Sequence, residues 1–135
     1  MESEDLKQTM VLVHPALKDD PAVKQNHVGK IVQADILADD FFVEFTDGKL
    51  GLYSSDALLV LKPAEEIFRA FEDHLDDLDE KNSRDLYSMA LLAQYHGSGP
   101  RVGLKLIKKN ENIREFCTES LRDSIARSLD AKLSR

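Results

Sequence analysis

Over the first 61 residues, apolar positions come in short runs rich in Val, Ile and Phe, broken by Gly, Pro, Asn and Asp. This spacing predicts strands, expected at residues 9–13, 28–35, 41–46, 49–53 and 58–61. In FFVEFTDGKLGLY, Asp47-Gly48 separates two alternating segments, and a type I′ hairpin turn with positive φ at both residues is expected there. Alternation sends Phe41, Val43 and Phe45 to one face and Phe42 and Glu44 to the other. The segment HPALKDDPAVKQNH, with Pro15 and Pro21, reads as a long loop between the first two strands.

After Lys62-Pro63 the period becomes helical. Ile67, Phe68, Phe71, Leu75 and Leu78 mark one apolar stripe, with Glu65 and Glu66 in a first turn where the helix dipole favours acids. A second helix is expected to start at Asn82 or Ser83 as cap and to carry Leu86, Tyr87, Ala90, Leu91 and Gln94. Gly97 is expected to cap its end, and Pro100 to open a third helix with Val102, Leu104, Leu106 and Ile107. Beyond KNEN, a longer fourth helix would carry Ile113, Phe116, Cys117, Leu121, Ile125 and Leu129. The expected fold is α+β: a five-stranded antiparallel barrel over residues 1–63, then a domain of about four short α-helices over residues 64–135. A barrel of about 55 residues is marginal alone, so the helices are expected to pack on it.

The pieces VGKIVQAD, FFVEFTDGKLGLY and SSDALLVL, with Gly29 opening the second strand and a one-turn helix at residues 54–57 before the fifth, resemble the SH3-like small barrels. The likeness is to their KOW and Tudor branch and covers residues 9–61. On the Tudor side it implies an aromatic site for methylated side chains, built from Phe42 and Tyr53. On the KOW side it implies contact with ribosomal RNA or the transcription machinery.

The chain of 135 residues is 42% apolar and 32% charged, the balance of a soluble globular protein. No apolar run approaches the ~20 residues of a membrane helix. The opening MESEDLKQTM is acidic and unlike a secretory leader, and Cys117 has no second cysteine to pair with, so a cytoplasmic location is expected. The net charge of −7 divides unevenly: −5 over residues 1–63, −6 over 64–99 and +4 over 100–135. Phosphate backbones are repelled by the acidic parts, so nucleic-acid binding would rest on Arg101, Lys105, Lys108, Lys109 and Arg114. A solvated basic face, or one paired with the acidic first helix, is the expectation for these residues.

No catalytic grouping, cofactor motif or metal site is expected. Read as a calcium loop from Asp77, the acidic run EDHLDDLDEKNSRD puts Lys81, Asn82 and Ser88 where ligands, Gly and a bidentate Glu belong. His74 and Asp77 have no second metal pair, and His14, His27, His74 and His96 lack the spacing of a helical zinc site. Cys117, beside Phe116 on an apolar face, reads as a buried inert thiol. GSGPRVG follows a helix and lacks the Gly-Lys-Ser/Thr ending of a phosphate loop. Function is therefore expected on surfaces: a non-catalytic protein-interaction module with a protein partner, using Phe42, Glu44, Tyr53 and the basic residues above. Phe42 itself is expected to bury against the helices. An RNA- or ribosome-associated protein and an acidic, immunity-like inhibitor of a basic partner are the alternatives.

Overall fold

A computed structural model describes residues 2–20, 22–95 and 97–133, with side chains through residue 130. The protein is α+β. Six strands, β1 (Met10–Val13), β2 (Val28–Asp35), β3 (Asp40–Phe45), β4 (Leu50–Tyr53), β5 (Leu58–Leu61) and β6 (Thr118–Ser120), form one sheet in the order β4-β3-β2-β1-β5-β6. Five helices accompany it: α1 (Ala64–His74), α2 (Glu80–Gln94), α3 (Gly99–Lys109), α4 (Arg114–Cys117) and α5 (Leu121–Leu133). The chain divides into two compact units, Met1–Val60 with Ser120–Arg135, and Leu61–Glu119.

The first five strands lie within a residue of where the short apolar runs predict them, but the sheet stays open. β4 and β6 are its edges, so a closed five-stranded barrel is not what forms. The sixth strand comes from within the expected fourth helix. Thr118 leaves α4 with extended φ and ψ of −126° and 156°, so the apolar stripe from Ile113 to Leu129 is split between two helices. Strand pairing has overridden a helical period here.

In the sheet unit, Val11, Val13, Ile31, Phe41, Val43, Phe45, Tyr53, Leu58 and Val60 point to one side and form its core. Leu121 and Ile125 of α5 complete that core. β2 carries a bulge between Ile31 and Gln33, after which Ala34 faces the core in place of Gln33.

The β3–β4 hairpin differs from the expected type I′ turn. Gly48 N–H donates to Phe45 C=O at 2.9 Å, and Phe45 N–H donates to Lys49 C=O at 3.0 Å. Of the two central residues only Gly48, at φ 83°, is left-handed. The loop is thus three residues long and ends in a glycine bulge, and Asp47 keeps negative φ while its carboxylate accepts from Lys49 N–H. A Cβ at Gly48 would meet nothing within 4 Å, so the cost of a side chain there is backbone strain alone. Gly48→Val is expected to lower stability by about 1 to 2 kcal/mol. A urea midpoint equal to that of the wild type would contradict this reading.

In the other unit, Ile67, Leu86, Met89, Ala90, Leu104, Ile107, Ile113 and Cys117 are buried. The second helix starts earlier than expected, because Asp79 takes the cap and accepts from Asn82 N–H at 2.7 Å. Lys62 N–H donates to Cys117 C=O at 2.8 Å, joining the two ends of this unit. His96, Pro21 and their expected roles lie outside the described residues.

Candidate functional site

On the side of the sheet facing away from its core, β3 presents Asp40, Phe42 and Glu44, and β4 presents Leu50 and Leu52. The register sets Phe42 opposite Leu52 and Glu44 opposite Leu50. Phe42, Leu50 and Leu52 are 38%, 56% and 51% exposed, so the burial expected for Phe42 does not occur. On this same face Leu12 and Leu59, opposite one another in β1 and β5, are buried. Exposure of apolar side chains is thereby concentrated at the β3–β4 end. Glu44 is half-buried between Lys30 and Leu50 in the register.

Tyr53 lies elsewhere. It pairs with Phe41 and points into the core, opposite in direction to Phe42, so the two rings do not form one aromatic site. Its ring stands edge-on to Phe45, with centroids 6.3 Å apart, and its hydroxyl donates to Asp20 Oδ2 at 2.8 Å. Burial first, and then the Asp20 carboxylate, push the Tyr53 phenol well above its ordinary range. Asp20 also accepts from the N–H groups of Ala22 and Lys24, at 2.9 and 2.8 Å. This buried carboxylate fastens the β1–β2 loop to β4. Sequence reading had no signal for it, since Asp20 is one acid among several in that loop.

The basic residues belong to the other unit. Lys105, Lys108 and Lys109 share the exposed side of α3, opposite the buried Gly103, Leu104 and Ile107. Arg101 and Arg114, half-buried, lie in the first turn of α3 and at the start of α4. Lys105, Lys108 and Lys109 make no ion pair with a described residue, so for these three the expected pairing with the acidic first helix is not made. The acids nearby pair locally instead: Asp85 with Lys81, Glu80 with Arg84, and Asp77 with His74 at 3.5 Å.

A third feature is an open groove of about 330 Å³ lined by Ile36, Phe41, Ile125 and Leu129, with Asp39, Ser55 and Arg122 at its rim. Asp39 stands at φ 56°, accepts from Ser55 N–H at 3.0 Å and faces Arg122, which also reaches Asp56 at 3.0 Å. Burial would raise the Asp39 carboxyl, but hydrogen bonds from Ser55 and the Arg122 guanidinium outweigh it and hold the group below the usual range. These polar groups satisfy one another and bind α5 to the sheet.

Among the described residues no three His, Cys, Asp or Glu side chains gather as a metal site. His14 Nδ1 lies 3.0 Å from Ala16 N, His27 Nδ1 lies 3.0 Å from Gln25 O, and the His74 ring packs tilted against Phe116 with centroids 4.7 Å apart. Cys117 is fully buried, and burial pushes its thiol up to about 12, against a weaker opposite effect of Lys62. An acid with a raised folded-state pKa holds its proton longer than in the unfolded chain. The Cys117 contribution should then be constant below about pH 8.5 and fall by about 1.4 kcal/mol per pH unit from there to about pH 10, above which the raised Tyr53 phenol adds a loss of its own. Urea midpoints across this window should show the slope, and Cys117→Ala should flatten it there; an equal slope in both proteins would refute the assignment.

No helix among the described residues is long and apolar enough to cross a membrane. Compared with protein-family models, with curated proteins and with solved structures, the chain matches none.

Proposed function

We propose that this is a non-catalytic cytoplasmic interaction module that docks a protein through the outer face of its β3–β4 hairpin. One observation carries the reading: Leu50 and Leu52 of the edge strand and Phe42 of its neighbour stand side by side and exposed. Adjacent exposed apolar side chains on an edge are an association surface, and natural sheets usually guard such edges with charge. A relation to the SH3-like barrels of the KOW and Tudor branch is part of the proposal. It is supported by the long β1–β2 loop, by β1 lying between β2 and β5, and by the single 3-10 turn at Ser55–Ala57 just before β5. Phe42 without Tyr53 offers no cage for a methylated cation, so an apolar protein surface is the better ligand.

The test is a Phe42→Ser, Leu52→Ser double variant. Both side chains leave the core intact, so its melting should stay close to wild type. Proteins retained by the wild type from lysate of its own host should be lost from the variant. A retained set that does not change would remove this face from consideration.

A second reading, nucleic-acid binding through α3, is favoured by three lysines that make no ion pair among the described residues. If they contact about four phosphates, log affinity for mixed RNA should fall with log salt at a slope of about 3. Absence of salt-sensitive binding at low ionic strength would end that reading.

A further inference from the structure

We infer that β4 is the seam of a two-fold homodimer, pairing antiparallel with β4 of a second copy about an axis through Gly51. The inference rests on the docking face proposed above and names its occupant. Antiparallel strands alternate hydrogen-bonded and non-hydrogen-bonded pairs. Phe45 and Lys49 are a hydrogen-bonded pair, so Val43–Gly51 and Phe41–Tyr53 are too, and the N–H and C=O groups of Leu50 and Leu52 point away from β3. β4 is an edge, so those groups face no strand of their own sheet.

A symmetric antiparallel pair must join outward-pointing residues to outward-pointing residues, which leaves three registers. Centring on Leu50 recruits Gly48 of the turn, and centring on Leu52 recruits Ser54 beyond the strand. Only the Gly51 centre pairs Leu50 with Leu52 and needs no residue outside the strand; Gly48 already donates its N–H to Phe45 C=O. Each Leu50 then exchanges two backbone hydrogen bonds with Leu52 of the other copy, four in all. The same pairing sets their side chains together on the exposed face, where Phe42 already flanks Leu52. Six apolar side chains, three from each copy, close into one cluster with no charge between them. Gly51, at the axis, brings no side chain to the closest backbone approach.

Charge agrees with this direction. The hairpin end of β4 carries Lys49 beside the Lys24–Asp47 ion pair, while Asp35 and Asp40, paired in register, and Asp56, held by Arg122, lie beyond its other end. Antiparallel pairing carries each Lys49 to the acidic end of the other copy, whereas parallel pairing would set lysine beside lysine. The contact is small, one four-residue strand and three half-exposed side chains per copy. It falls below the about 1,200 Å² of a stable interface, so dissociation is expected at tens to hundreds of micromolar.

Sedimentation equilibrium of the full chain from about 10 µM to 1 mM spans that range. The mean mass should climb from 15.2 kDa toward twice that value. Leu50→Lys should remain monomeric throughout, while Leu37→Lys, which changes a fully exposed leucine of the β2–β3 turn, should associate like the wild type. Hydrogen exchange gives an independent reading on the unaltered chain. The Leu50 and Leu52 amides should be protected only at high concentration, and the Gly51 amide at every concentration. A wild type that is monomeric at the highest concentration, or Leu50 and Leu52 amides indifferent to concentration, would overturn the dimer. If the Phe42→Ser, Leu52→Ser variant then still loses its bound protein, the docking face stands with another occupant. A dimer whose bound proteins are untouched by that variant would instead leave self-pairing as the role of the face.

Discussion

A fragment ending at Lys62 is expected to show no cooperative unfolding transition, although it contains β1 to β5 entire. The core of the sheet unit includes Leu121, 1% exposed, and Ile125, 7% exposed, both from α5. Deleting a buried Leu or Ile side chain costs about 2 to 5 kcal/mol, and the fragment loses both along with the rest of the helix that lines a groove with Phe41. The fragment also loses Arg122, which joins Asp39 and Asp56. Against a total of about 5 to 15 kcal/mol for an ordinary domain, such a loss removes most of the margin. A well-dispersed amide spectrum and a sigmoidal melt from this fragment would show that the sheet does not need α5.

Asp20→Ala should produce the largest effect of any single substitution in the sheet unit outside the apolar core, about 3 kcal/mol. It strips one acceptor from two loop N–H groups and leaves the Tyr53 hydroxyl without its partner in a buried place. Tyr53→Phe removes the matching donor and should cost less, about 1 to 2 kcal/mol, because Asp20 keeps both loop amides. The double variant should then lose less than the sum of the two, since the shared hydrogen bond can be lost only once. Strict additivity in urea unfolding would show that the two side chains act independently.

Strands β1 to β5 are legible in the sequence because each is a short run, continuously apolar in β1 and β5 and alternating in β3 and β4, bounded by turn formers, and such a local pattern survives in any tertiary setting. The helices α1, α2 and α3 are legible for the same reason. What fails to show are decisions made at long range. Asp47-Gly48 is compatible with two hairpin loops, and the choice falls to one in which Asp47 turns its carboxylate to Lys49 N–H. Thr118–Ser120 sits inside a helical stripe, yet forms a strand because a sheet edge is available to it. Of the surface residues, Phe42 is put on the outer face by simple alternation, but its exposure is not legible, since burial against the helices is what the sequence suggests. Its neighbours Leu50 and Leu52 escape notice because their exposure depends on β4 being an edge strand, which no local pattern announces. Tyr53 is drawn inward by a carboxylate 33 residues away.

Leu61–Glu119 interrupts the sheet unit between β5 and α5, and this shapes the order in which the molecule forms during synthesis. The strands leave the ribosome long before Leu121 and Ile125 exist to cover them. For that interval their apolar side and the β4 edge are open together, and the nascent chain is at its most adhesive. The inserted segment shortens the exposure, because it can fold first and its Lys62–Cys117 hydrogen bond draws its two ends together. Closing a loop of some sixty flexible residues is thereby exchanged for docking a helix already held near its destination. Slowing the folding of the inserted segment, with no change in the sheet unit, should therefore raise the fraction of newly made protein that aggregates.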